Sequence, residues 1–161
     1  MFLVVSSGDH NDNAPQVRLR GSAPAGNEPL ATATATEDEL PLRGRKLLLV
    51  EDEAIVAMSV ELALRDFGCD EVFVALSLAE GLGFAQDRPI DAAVLDVNLR
   101  GVEVFPVADV LVARATPFVF ATGYGAESIR PDLRNHPIIR KPYQPRDLRE
   151  VLIGLLGRDA K

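Results

Sequence analysis

The chain has 161 residues, 47% of them hydrophobic, enough for the core of one ordinary domain and too few residues for two full ones. A net charge of −7 argues against a general nucleic-acid binder, and the single cysteine, Cys69, rules out an internal disulfide and fits a reducing cytoplasm. No run approaches a membrane span, and the opening "MFLVV" is too short, and lacks the basic flank, for a secretion signal.

Residues 1–44, with "GSAPAGNEPLATATATEDELPLRG", carry no sustained apolar periodicity and read as a disordered low-complexity tail. The folded domain is expected over 45–161. "KLLLV" at 46–50 predicts a buried strand and runs straight into Glu51, Asp52 and Glu53. "EAIVAMSVELALRDFG" predicts about four helical turns, with Gly68 as the stop. "EVFVA" at 71–75 predicts a strand. "SLAEGLGFAQDR" at 77–88 predicts a helix capped by Ser77 with Glu80 three places on. "DAAVLDV" at 91–97 is a strand again. "VEVFPVADVLVARA" at 102–115 predicts a helix that Pro106 delays or bends. "PFVFAT" at 117–122 is a strand, and "AESIRPDLR" at 126–134 a short helix broken by Pro131. "PIIRK" at 137–141 and "PRDLREVLIGLLGR" at 145–158 complete the series as strand and amphipathic helix.

Strand and helix therefore alternate five times with short connections, which implies parallel strands joined by right-handed crossovers. The apolar runs "LLLV", "AAVL" and "FVFA" do not alternate, as expected of strands covered on both faces. The expected architecture is a flavodoxin-like, doubly wound α/β domain with a five-stranded sheet in the order 2-1-3-4-5. In such a sheet ligands sit beyond the carboxyl ends of the strands. Glu51 and Asp52, Asp96, Thr122 and Lys141 stand at those ends, so three acids, a hydroxyl and an amine are expected in one crevice.

Clustered carboxylates repel one another and call for a cation. All-oxygen ligands without a nearby His or Cys point to Mg²⁺, which takes one or two carboxylates together with phosphate oxygens. A carboxylate can act as nucleophile toward phosphorus, and Asp96, flanked by Asp52 and facing Lys141, is the best placed. Lys141 would spread the transition-state charge, and Thr122 would bond a phosphoryl oxygen.

"LLLVEDE", "AVLDVNLRG", "FATGY" and "IIRKP", in that order at predicted strand ends, resemble the receiver domain of two-component response regulators across residues 45–158. The resemblance implies that Asp96 is the phosphoacceptor, that Glu51 and Asp52 are the acidic pair, and that these three and the backbone carbonyl of Asn98 ligate the metal. It further implies that Thr122 is the switch hydroxyl and that Lys141 reaches the phosphoryl group. "PFVFATGYG" resembles the FATGUY subgroup of single-domain receivers, paired in alphaproteobacteria with kinases of the HWE and related types.

The implied protein is a stand-alone cytoplasmic phosphoacceptor that assists its own phosphorylation and dephosphorylation and is otherwise not an enzyme. Its partners would be a sensor histidine kinase or phosphotransfer protein and a downstream protein target, with no DNA and no membrane insertion. Two departures stand out: Glu51 where most receivers have Asp, and Ile138 where most carry an aromatic. Tyr124, beside Thr122, is a candidate substitute for that aromatic. The alternatives are a Mg²⁺-dependent phosphatase with an Asp nucleophile, disfavoured by Asn98 in place of a second acid, and a phosphorylation-independent pseudo-receiver. The first helix has two apolar rows, one through Ile55, Met58 and Leu62 and one through Val56, Val60 and Phe67. One row must cover the sheet, leaving the other as further core or as a docking surface.

Overall fold

The structure is a computed structural model that describes residues 40–157. Residues 1–39 of the tail expected over 1–44, and the final residues 158–161, lie outside that range. The first elements are β1 (Lys46–Val50), α1 (Ala54–Asp66), β2 (Glu71–Ala75), α2 (Leu78–Asp87) and β3 (Ala92–Asp96). A two-stranded hairpin, β4 (Asn98–Leu99) and β5 (Val102–Glu103), precedes α3 (Phe105–Ala113). Then come β6 (Phe118–Thr122), the 3-10 turns Ala126–Ser128 and Pro131–Leu133, β7 (Ile138–Arg140) and α4 (Pro145–Leu156).

The large sheet is parallel throughout and ordered β2-β1-β3-β6-β7, the flavodoxin-like order expected. Successive side chains of a strand point to opposite faces, so an all-apolar strand feeds two cores. In β1, Leu48 and Val50 join one cluster with Phe73, Val107, Leu111 and Phe120. Leu47 and Leu49 join the other with Leu64, Val72, Leu148 and Leu152. Accordingly α2 and α3 cover one face while α1 and α4 cover the other. The sheet is sealed on both sides, and its carboxyl edge remains for chemistry.

The structure moves three sequence-based boundaries. The packed chain starts before Arg45: Leu42 is fully buried, and Arg43 forms a β-bridge with Cys69. Gly68, at φ +90°, lets this strap lie close, since a Cβ there would stand 2.8 Å from the Leu40 Cβ. The helix expected from 102 begins at Phe105 with Pro106 in its first turn, because Val102 and Glu103 pair with Asn98 and Leu99 instead. The expected helix over 126–134 is two separate 3-10 turns; Pro131 has no N–H with which to continue a helical ladder. Ser77 caps α2 as read, but Glu80 takes the N–H of Leu76 at 2.7 Å.

Candidate functional site

β1 and β3 are neighbours, so their ends bring Glu51 and Asp96 together although 45 residues separate them. Glu51, Asp52 and Asp96 each offer a carboxylate oxygen within 4.8 Å of the others. Glu51 is 2% exposed and Asp96 9%, so neither charge can rely on bulk water. Lys141, just past β7, answers both: its Nζ donates to Glu51 Oε2 at 2.7 Å and to Asp96 Oδ2 at 2.8 Å. The lysine is fixed in turn by its own N–H, which donates to the Thr122 carbonyl at 2.8 Å.

Burial pushes the Glu51 carboxyl above its ordinary range; the Lys141 ammonium opposes that shift and the Asp96 charge adds to it. Burial disfavours the charged form of Lys141, but the bonds to Asp96 and Glu51 outweigh it and hold its pKa above the ordinary value. Backbone donors complete the carboxylates. The Glu53 N–H reaches Glu51 Oε1 and the Asn98 N–H reaches Asp96 Oδ1, each at 3.2 Å.

Asp52 has a partner that sequence reasoning missed. Arg100 donates from Nε to Asp52 Oδ2 at 3.1 Å and from a terminal nitrogen to the Asp52 carbonyl at 3.0 Å. Arg100 and Gly101 form the β4–β5 turn, both at positive φ, 54° and 87°. That left-handed pair is the geometry of a tight hairpin, and it aims the guanidinium back at β1. Asn98 shapes the same turn, its Oδ1 accepting the Gly101 N–H at 2.6 Å. The pairing spans 48 residues, so nothing local in "NLRG" announces it.

Thr122 ends β6, one position beyond Ala121, the register partner of Asp96. It is 2% exposed. Its Oγ1 accepts the Tyr124 N–H at 3.0 Å and lies 3.2 Å from Ser128 Oγ, a second residue the sequence reading passed over. Tyr124 itself is 68% exposed, and Ile138 lies half-buried on β7. The arrangement thus assembles Glu51, Asp52, Asp96 and Lys141 in one cluster, with Asn98 and Thr122 on its flanks and Tyr124 outward. Clustered carboxylate oxygens without His or Cys are the donor set of a hard divalent cation, and these residues fit one.

No family model and no curated protein matches the chain. Solved structures do. SdrG from Sphingomonas melonis Fr1 is 39% identical, with 72% of this chain and 98% of that one covered at a TM-score of 0.62. The BeF3-activated conformation of SdrG from Pseudomonas melonis Fr1 is 41% identical, with 69% and 95% covered at 0.60. The CheY-like response regulator receiver domain protein from Methanospirillum hungatei JF-1 is 24% identical, with 71% and 94% covered at 0.63.

The chain belongs to the CheY-like response regulator receiver domains. The receiver's two α1 rows separate clearly. Val60 is 7% exposed against the sheet, whereas Ile55, Met58 and Leu62 are 77%, 57% and 59% exposed. Among the described residues no helix is long and apolar enough to cross a membrane.

Proposed function

We propose that this receiver takes a phosphoryl group from a phosphohistidine of a sensor histidine kinase or histidine phosphotransfer protein onto Asp96. The carrying observation is the cluster at the carboxyl edge of the sheet, where a 9%-exposed Asp96 is bonded by Lys141 and flanked by Glu51 and Asp52. In the transfer, an Asp96 oxygen forms the new O–P bond as the N–P bond breaks. The N–P electron pair leaves with the imidazole nitrogen, so the product is an aspartyl phosphate and a dephosphorylated histidine.

Glu51, Asp52, Asp96 and the Asn98 backbone carbonyl would hold Mg²⁺, which when bound neutralises charge on the phosphoryl oxygens. Lys141 has three N–H donors, two of them engaged by Glu51 and Asp96. It is therefore the protein's own cation for the oxygens of the transferred group. Thr122 donates to a further phosphoryl oxygen once its hydroxyl turns.

The likeness to SdrG in its BeF3-activated conformation supports this reading, beryllofluoride being a stand-in for a phosphoryl group. The same likeness, with "PFVFATGYG" on β6 and its exit, favours the FATGUY type and a kinase of the HWE or related class. Output would pass through protein–protein contacts to a downstream target. The exposed Ile55, Met58 and Leu62 give the donor protein an apolar row beside the site. Acetyl phosphate or a phosphorylated kinase should label the wild-type chain with Mg²⁺, much less with EDTA, and not Asp96→Asn. Equal labelling of wild type and Asp96→Asn would refute the assignment.

A further inference from the structure

Thr122 and Ser128 carry one hydroxyl proton each, so their bonds can be assigned by counting. Ser128 Oγ lies 2.8 Å from the Gly125 carbonyl, which only accepts, so the serine proton is committed there. In the 3.2 Å contact with Thr122, Ser128 is then the acceptor and Thr122 the donor. On its other side Thr122 accepts the Tyr124 N–H. The threonine hydroxyl is therefore used in both directions, and both partners belong to the loop after β6, not to the Asp96 cluster. At 2% exposure of Thr122, bulk water is a poor substitute for either of them.

We propose that Ser128 is the positioning residue of the switch: it holds the Thr122 proton in the resting molecule and yields it when Asp96 carries a phosphoryl group. The inference rests on the phosphoacceptor reading above. To donate to a phosphoryl oxygen, Thr122 must give up its bond to Ser128. That bond ties the exit of β6 to the first 3-10 turn, which Ser128 also closes with its N–H on the Gly125 carbonyl at 3.0 Å. The next residue, Ile129, is 1% exposed in the core. Release of Thr122 thus loosens the site's tether on the 123–134 segment, a route that needs no aromatic at Ile138.

The test is the affinity of the full chain for beryllofluoride in saturating Mg²⁺, with affinity for Mg²⁺ alone measured beside it, both by calorimetry. Losing one neutral hydrogen bond from the resting state should tighten beryllofluoride binding by Ser128→Ala about fivefold and leave Mg²⁺ binding unchanged. Ser128→Thr, which keeps a hydroxyl, should stay near wild type. In a Thr122→Ala background, Ser128→Ala should change nothing, because the bond it removes is already gone. Unchanged or weaker beryllofluoride binding by Ser128→Ala overturns the inference, as does an equal gain in the Thr122→Ala background. Failure of wild type to bind beryllofluoride overturns the phosphoacceptor reading and this inference with it. Binding by wild type with no gain in Ser128→Ala overturns this inference alone.

Discussion

Replacing Lys141 by Met removes the cation that, among the described residues, touches both buried carboxylates, while keeping a long unbranched side chain. Each N–O contact, at 2.7 and 2.8 Å, corresponds to an attraction of about 6 kcal/mol at an effective dielectric of about 20. Desolvation offsets most of that, and the lysine side chain is still 23% exposed. Breaking a fully buried pair costs about 3–5 kcal/mol, so partial exposure places Lys141→Met near 2–3 kcal/mol. For a domain of this size that lowers Tm by about 8–12 °C.

The pH dependence has a definite sign. Glu51 already titrates above its ordinary 4.5, with Lys141 opposing the shift. Without the lysine its folded-state pKa climbs further. A carboxyl whose folded pKa is raised favours the folded state at low pH, and that contribution is lost as pH rises through the folded value. The deficit of Lys141→Met against wild type should therefore be largest at pH 8 and shrink toward pH 5, measured by circular dichroism melts in EDTA. Millimolar Mg²⁺ should restore the variant more than it stabilises wild type, since the cation takes over the lost charge. A variant that melts with wild type at pH 8, or a deficit that widens toward pH 5, would refute the reasoning.

Arg100→Asn, whose short side chain suits the φ of 54°, frees Asp52 from the guanidinium. An exposed ion pair of this kind is worth up to about 1 kcal/mol, so Mg²⁺ should bind about two- to fivefold more tightly by titration calorimetry. Unchanged affinity would show that Arg100 does not compete for the site. Leu42→Ala tests the strap before β1. A fully buried leucine truncated to alanine costs about 2–5 kcal/mol, so urea unfolding should move by that much, whereas a residue outside the packed domain would move nothing.

Local chemistry and the contacts that the strand order imposes were legible in the sequence, and other pairings were not. Runs such as "KLLLV" and "EVFVA" declare buried strands by continuous apolar content, and Ser77 declares a helix start by its capping oxygen. Once the strands alternate with helices, the sheet order and the meeting of Glu51, Asp52, Asp96 and Lys141 follow from topology. What failed was set by contacts that the strand order does not impose. Leu40 and Leu42 sit in Pro- and Thr-rich sequence that reads as tail, and the close approach to Gly68, the burial of Leu42 and the Arg43–Cys69 bridge show the strap packed. The start of α3 shifted because two residues of its expected first turn pair backward into a hairpin. Ser128 offered one signal, a hydroxyl six residues beyond another on a loop, but its role needed the geometry of both oxygens.

The two departures from the common receiver pattern are connected by what surrounds the site. A glutamate at 51 reaches far enough to take Lys141 directly, so the lysine bridges two carboxylates and leaves Asp52 to find another cation, which Arg100 supplies. On the phosphoacceptor reading, each incoming ligand therefore displaces a different protein contact: the metal contends with Arg100 for Asp52, and the phosphoryl group contends with Ser128 for Thr122. Lys141 needs no such release, because it has a donor beyond the two already committed. On that reading metal entry would be regulated from the β4–β5 hairpin, and phosphoryl recognition from the loop after β6. With Ile138 unable to carry a ring to report the event, that loop is the segment whose hydrogen bonds would change on the proposed modification of Asp96.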